Sequence, residues 1–256
     1  MKIKGSINEM IRPDVQAPGD KAYYEGLERY YQTSPATNLE KLQAFTKHVP
    51  LSDMNKLLAR FLIFQHVLPV HGDIIECGVY RGAGLMSWAQ FSAIMEPLNH
   101  HRRIRGFDTF KGFAGIHQKD SGNLLEIAKK GGLTTNAYED ILEAIRLYDL
   151  YRMLGHIPKV SLHPGDALKT IPEFLKKNQH LVVALLYLDF DVYEPTKCAI
   201  EHFLPRMPKG SVIAFDELAQ VHWPGETLAV LETIGLRNLR IQRLPFQPSI
   251  SFAILD

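Results

Sequence analysis

Apolar positions along the chain change their period near residue 73. Before that point the first fifty residues are mixed and weakly periodic, which reads as an irregular extension, residues 1–50, lying over an active site or against a partner subunit. Ser52 has the chemistry of a helix cap, and Leu57, Leu58, Phe61 and Leu62 follow at helical spacing, so a helix with one apolar face is expected. From Asp73 onward short apolar runs alternate with amphipathic stretches. Strands are predicted at Asp73–Cys77, Arg103–Phe107, Lys159–His163, Leu181–Leu188 and Ser211–Phe215. Helices are predicted between them: from about Leu85 to Met95, from about Tyr138 to Leu154, after an Asp166 cap and after Pro195, with a last one around Thr227–Ile234. Arg240–Leu244 and Ile250–Leu255 have no helix between them, so they should close as a hairpin.

Successive strand–helix units imply a parallel, doubly wound α/β sheet with helices on both faces, because each parallel crossover needs a covering connection. Leu181–Leu188 is almost wholly apolar, as a strand buried on both faces should be. Residues 111–137 hold five glycines and little apolar order, too long for an ordinary connection, so they are a candidate lid inserted in a domain running over residues 51–256.

Composition mainly excludes. With 29 basic and 28 acidic side chains, electrostatics gives no reason to expect a nucleic acid. The tight basic cluster Arg102, Arg103 and Arg105 reads as a solvated strand entrance. The N-terminus has no apolar signal core and no long apolar run follows, so a membrane is not expected. Cys77 and Cys198 read as small buried hydrophobes, which suits a reducing, cytoplasmic setting.

Ligands of a doubly wound sheet bind outside the carboxyl ends of its strands, and each expected strand end carries an acid. The first runs Glu76-Cys-Gly78-Val-Tyr80-Arg-Gly82-Ala-Gly84, a glycine turn into a helix whose spacing departs from the dinucleotide pattern at Ser87. Its E-x-G-x-x-x-G spacing resembles the first motif of S-adenosylmethionine enzymes, which implies that Glu76 faces the cofactor's ammonium. Asp108 suits ribose hydroxyls or a turn cap, and Asp166 suits adenine or a helix N-cap. Asp189, Asp191, Asp216 and Glu217 end two strands; crowded carboxylates raise one another's pKa, a penalty that a hard divalent cation such as Mg²⁺ removes, the alternative being solvated loop acids. Candidate bases are His222, Asp189 itself or a metal-activated hydroxyl, with His117 in the lid a weaker choice. Trp223 can stack on a sugar face or simply pack at a turn.

The stretch Leu186 to Leu236, with D-x-D-x-Y-E-P-T at Asp189–Thr196 and the paired acids Asp216-Glu217, resembles the macrocin O-methyltransferase family, as do IIECGVYRGAG and GFDTFKGF. FDEL and WPGE resemble its branch of dTDP-6-deoxy-L-hexose 3-O-methyltransferases. The resemblance implies a class I methyltransferase sheet of seven strands, five parallel plus a hairpin. It also implies a sugar or nucleotide-sugar acceptor, a homo-oligomer, metal ligands Asp189, Asp216 and Glu217, and a cofactor site at Glu76, Gly78, Tyr80, Gly82, Ser87, Asp108 and Asp166. Most relatives carry two aspartates where this chain has Asp216-Glu217. A catechol-type O-methyltransferase, an NAD-dependent oxidoreductase and a binding module without chemistry are the rival readings; the glycine spacing opposes the second, and the acids at every strand end oppose the third.

Overall fold

The computed structural model describes residues 17–120 and 128–256, and the chain divides into two compact units, residues 1–54 and 55–256. Residues 1–16 of the expected extension and 121–127 of the expected lid lie outside the described residues.

The first unit is helical where an irregular segment was expected, with α1 (Asp20–Thr33), α2 (Asn38–Gln43) and a 3₁₀ turn at Phe45–Lys47. Thr37 and Glu40 form a reciprocal capping box that starts α2, and Lys41 Nζ donates to the Tyr31 carbonyl at 2.6 Å. Periodicity missed α1 because none of its residues is fully buried. The next helix, α3 (Leu51–Val67), begins two residues earlier than a Ser52 cap would place it, with Met54 N–H bonded to the Pro50 carbonyl; Ser52 therefore sits inside the first turn and donates to Asp53 instead of capping.

The second unit holds the sheet. In chain order it contains β1 (Asp73–Cys77), α4 (Ala83–Met95), β2 (Ile104–Asp108), α5 (Tyr138–Tyr151), β3 (Val160–Pro164), α6 (Ala167–Lys177), β4 (Val183–Leu188), α7 (Tyr193–Phe203), β5 (Val212–Phe215), α8 (Pro224–Thr233), β6 (Gln242–Leu244) and β7 (Gln247–Ile254). The seven strands lie in the order β3-β2-β1-β4-β5-β7-β6; β1 to β5 pair in parallel, and β7 runs antiparallel to both β5 and β6. The order reverses between β1 and β4, so the exits of those strands part and open a crevice.

Alternating side chains separate two cores. Ile74, Ile104, Tyr187 and Val212 pack with Ile63, Phe64, Trp88 and Ile141 of α3, α4 and α5, while Ile75, Phe107, Leu188 and Phe215 pack with Phe174, Phe203 and Val230 of α6, α7 and α8. β4 is buried at every position, as its unbroken apolar run requires. Both cysteines are free and buried. Among the described residues no helix is long and apolar enough to cross a membrane.

Candidate active site

The site is built by the strand exits. Gly78, leaving β1, has φ +95°, and a Cβ there would stand 1.9 Å from the Asp189 carbonyl oxygen, so glycine alone lets the β1 and β4 exits approach. Gly84 serves a different purpose: a Cβ on it would meet Glu76 Oε1 at 2.4 Å, so its bareness makes room for that carboxylate. Asp108 fastens the turn from β2. Its Oδ2 accepts the N–H groups of Val79 and Tyr80, each at 2.8 Å, and its Oδ1 accepts that of Phe110 at 2.6 Å. Asp166 caps α6, accepting from Leu168 N–H at 3.0 Å.

These exits enclose a cleft of about 210 Å³. Of the expected site residues, Gly78, Tyr80, Asp108, Asp166 and Asp189 line it, together with Asp191. The remaining expected residues stand elsewhere. Glu76 is only 1% exposed, shut beneath Gly84 and facing Arg60, so it is not presented to a cofactor ammonium. Gly82 packs on Ile141, and Ser87 turns back to the Ala83 carbonyl at 2.6 Å. Asp216 and Glu217 are not among the lining residues; the Glu217 N–H donates to Glu226 Oε1 at 3.0 Å. His222 is half-buried in the loop between β5 and α8, away from the cleft wall. Trp223 is buried and supports the lining residue Phe113 ring to ring at 5.6 Å, so it backs the wall instead of facing the cleft.

Part of the glycine-rich segment 111–137 is anchored on α7. Buried Asp120 accepts N–H groups from His117 at 2.8 Å and Tyr193 at 2.7 Å, and the His117 ring packs on Tyr193 at 5.1 Å. His117 is thereby a tether and does not line the cleft.

Electrostatics distinguishes the acids. Burial pushes the Asp189 carboxyl well above the usual carboxylate range, and the facing Asp216 pushes it further. Asp191 is pushed up in the same way, by burial and then by Glu217 and Asp216. Asp216 is the exception. Burial would raise it, but Lys56 and Arg60 on α3 hold it below the ordinary value, with Lys56 Nζ at 2.8 Å from Oδ2 and the Tyr187 hydroxyl donating to Oδ1 at 2.7 Å. Burial pushes Glu76 up to about 7 against the pull of Arg60. Lys56 and Arg60 escaped the sequence reading; the available signal was two cations at i and i+4 on a helix whose other face is apolar.

The lining suits a nucleoside with a cationic tail. Carboxylates at Asp108, Asp166, Asp189 and Asp191 offer acceptors for hydroxyls and positive charge, and Phe113, Leu133 and Leu168 offer apolar surface for a base. For a divalent cation the donor chemistry fits, being all carboxylate, with Asp189 and Asp191 pushed above their ordinary range by burial and by neighbouring acids despite the pull of Lys56. The expected trio of ligands is nonetheless not preassembled: among the described residues no group of three or more His, Cys, Asp or Glu side chains is gathered to hold an ion.

Comparison with known proteins agrees with this architecture. The model of the macrocin-O-methyltransferase (TylF) family matches residues 54–230, the segment containing every strand exit described above. A crystal structure of the calicheamicin methyltransferase CalS11 superposes with a TM-score of 0.90 at 30% identity, covering 98% of this chain and 97% of that one. The apo structure of CalS11, described as a TDP-rhamnose 3'-O-methyltransferase of calicheamicin biosynthesis, gives 0.81 at 30% identity over 97% and 98% of the two chains. A curated relative from Streptomyces olivaceus, 8-demethyl-8-(2,3-dimethoxy-alpha-L-rhamnosyl)-tetracenomycin-C 4'-O-methyltransferase, is 25% identical over 59% of this chain, and the chain spans 54% of its length. The family model covers well over half of the chain, including the whole cleft, and the chain belongs to the macrocin O-methyltransferase family.

Proposed function

We propose that this protein transfers a methyl group from S-adenosylmethionine to a hydroxyl of a deoxysugar in natural-product biosynthesis, the acceptor being a dTDP-activated 6-deoxyhexose and the position its 3-hydroxyl. The observation that carries the reading is the cleft in which Asp108 and Asp166 stand at one side and Asp189 and Asp191 at the other, at the reversal point of the sheet. Likeness to the TDP-rhamnose 3'-O-methyltransferase, 30% identical across 97% of the chain, supports the acceptor. The same reading takes residues 51–256 as the catalytic domain, 111–137 as its lid, and the protein as a cytoplasmic homo-oligomer.

S-adenosylmethionine supplies an electrophilic methyl on a sulfonium, and a bound hard divalent cation, Mg²⁺ in this reading, makes a touching hydroxyl easier to deprotonate. Asp189, Asp216 and Glu217 are the residues to hold that cation. The chain's own task is chiefly placement, since in-line attack needs only an alkoxide oriented at the methyl. Asp108 and Asp166 receive the nucleoside, and the anchored limb of the lid with Phe113 excludes water from the wall. Of the candidate bases Asp189 lines the cleft and His222 does not, so the hydroxyl proton passes to the Asp189–Asp191 pair. The new O–C bond forms as the S–C bond breaks, leaving S-adenosylhomocysteine.

The test is a methyl-transfer assay with S-adenosylmethionine and a panel of dTDP-deoxysugars, read by product mass with and without EDTA. Methylation of a 6-deoxyhexose that EDTA suppresses is expected. Turnover of catechols with none of the sugars would overturn the acceptor, and activity indifferent to EDTA would overturn the metal.

A further inference from the structure

α3 brings two cations, Lys56 and Arg60, to Asp216, and they are held differently. Arg60 is 7% exposed and its guanidinium lies over the Tyr187 ring at 5.3 Å, so it has nowhere to go. Lys56 reaches Asp216 through a single 2.8 Å ion pair, and its side chain is 37% exposed while that of Asp216 is 2% exposed. Of the two partners, only the lysine can withdraw into water, on a flexible stem that suits such a swing. Asp216 cannot follow, because Tyr187 holds its other oxygen at 2.7 Å.

The ion pair sits on a carboxylate that the proposed metal needs. A divalent cation and an ammonium on one carboxylate oxygen repel each other, and metal binding also requires that ligand to be free of other cations. We infer that Lys56 is a built-in competitor for the metal: its ammonium occupies Asp216, and a divalent ion reaches that carboxylate only by displacing Lys56 towards solvent. The inference rests on the metal reading of the site given above. Its consequence is a cluster that is partly neutralised when metal-free, avoiding the cost of unpaired buried carboxylates, and that binds its ion loosely enough to exchange it.

Isothermal calorimetry with Mn²⁺ on the full chain tests this, using wild type, Lys56→Met, Lys56→Arg and Asp189→Asn. Removing the ammonium should tighten Mn²⁺ binding by about tenfold, the scale of one charge-assisted hydrogen bond. Lys56→Arg, which keeps the charge, should stay near wild type. Lys56→Gln retains a donor for Asp216 and drops only the charge, so it reports the same tightening should the methionine variant not fold. Equal or weaker binding by the uncharged variants, with Asp189→Asn still abolishing it, would overturn the competition and leave the metal reading standing. Absence of Mn²⁺ binding in every form would overturn the metal reading itself.

Discussion

The two ends of the parallel strands treat charge in opposite ways. At the amino end Arg102 is 3% exposed, yet each of its nitrogens has a partner. Nε donates to Glu96 at 2.8 Å, Nη1 to the Gly72 carbonyl at 2.8 Å, and Nη2 to carbonyls at the end of α3, including Val70 at 2.9 Å. Asp73 beside it accepts from Arg103 N–H and Arg105 Nε at 2.9 and 2.8 Å. At the carboxyl end Glu76 Oε2 and Glu226 Oε2 are buried without a hydrogen-bond partner, and Asp189 and Asp191 are pushed above their ordinary range. Backbone strain follows the same division. Tyr80, Phe110, Asp191 and Ala219, leaving β1, β2, β4 and β5, all have positive φ, whereas at the strand entrances Gly72 and Gly210 carry such angles and Leu154 is the non-glycine example. Charge at the amino end is fully partnered, and part of the charge at the carboxyl end, where the cleft opens, is not.

That contrast is sharpest in exchange experiments. Asp189→Asn should reduce kcat by about a hundredfold or more while melting temperature and S-adenosylmethionine affinity hold, since removing a crowded buried charge costs the fold little. Asp216→Asn should slow turnover as far but also lower the melting temperature, because it takes away the carboxylate that Lys56 and Tyr187 hold. Calorimetry and steady-state rates check it, and a collapse in melting temperature of the Asp189 variant would break the contrast. Arg102→Ala should do the reverse: denaturant unfolding should show a loss of about 3–5 kcal/mol, the scale for opening a buried charged network, with kcat per folded molecule unchanged.

His163, at the end of β3 between Phe107 and Phe174, tests whether every titratable group at the carboxyl end belongs to the chemistry. Burial, aided by Arg105, pushes its imidazole down to about 4. The unfolded chain, with a pKa of about 6.5, therefore takes the proton first. The stability this contributes is complete above that value and is lost as pH falls towards 4. His163→Gln should flatten that part of the stability curve. The smallest effect is expected at Glu226, whose carboxyl is pushed well up by burial and then by Glu217 and Asp216. Glu226→Gln keeps an acceptor for the Glu217 N–H, so rate and melting temperature should change by less than about twofold and a degree or two.

Much of the carboxyl end was readable in the chain because each apolar run stops at an acid, and strand exits of a doubly wound sheet converge. The parallel pairing and the placement of Asp108, Asp166 and Asp189 at strand exits follow from that regularity, and the hairpin from the missing helix between the last two strands; the strand order itself was not read. Long-range satisfaction was not readable. Arg102 looked like part of a solvated run, since nothing local shows that carbonyls some thirty residues earlier wait for it. Lys56 drew no attention in the sequence, because its partner lies 160 residues away. Glu76 was expected at the cofactor, but Gly84 closes over it. The N-terminal helices were missed although Thr37-Asn-Leu-Glu40 displays a capping box; weak periodicity masked it.

The most direct test is a double-mutant cycle in kcat at Asp189 and Asp216, with methyl-donor affinity measured on each protein. Groups acting at one point lose their effect together, so the double asparagine variant should turn over about as slowly as the worse single variant. Multiplying losses, or loss of donor binding in either single variant, would contradict a shared role for the β4 and β5 exits in methyl transfer.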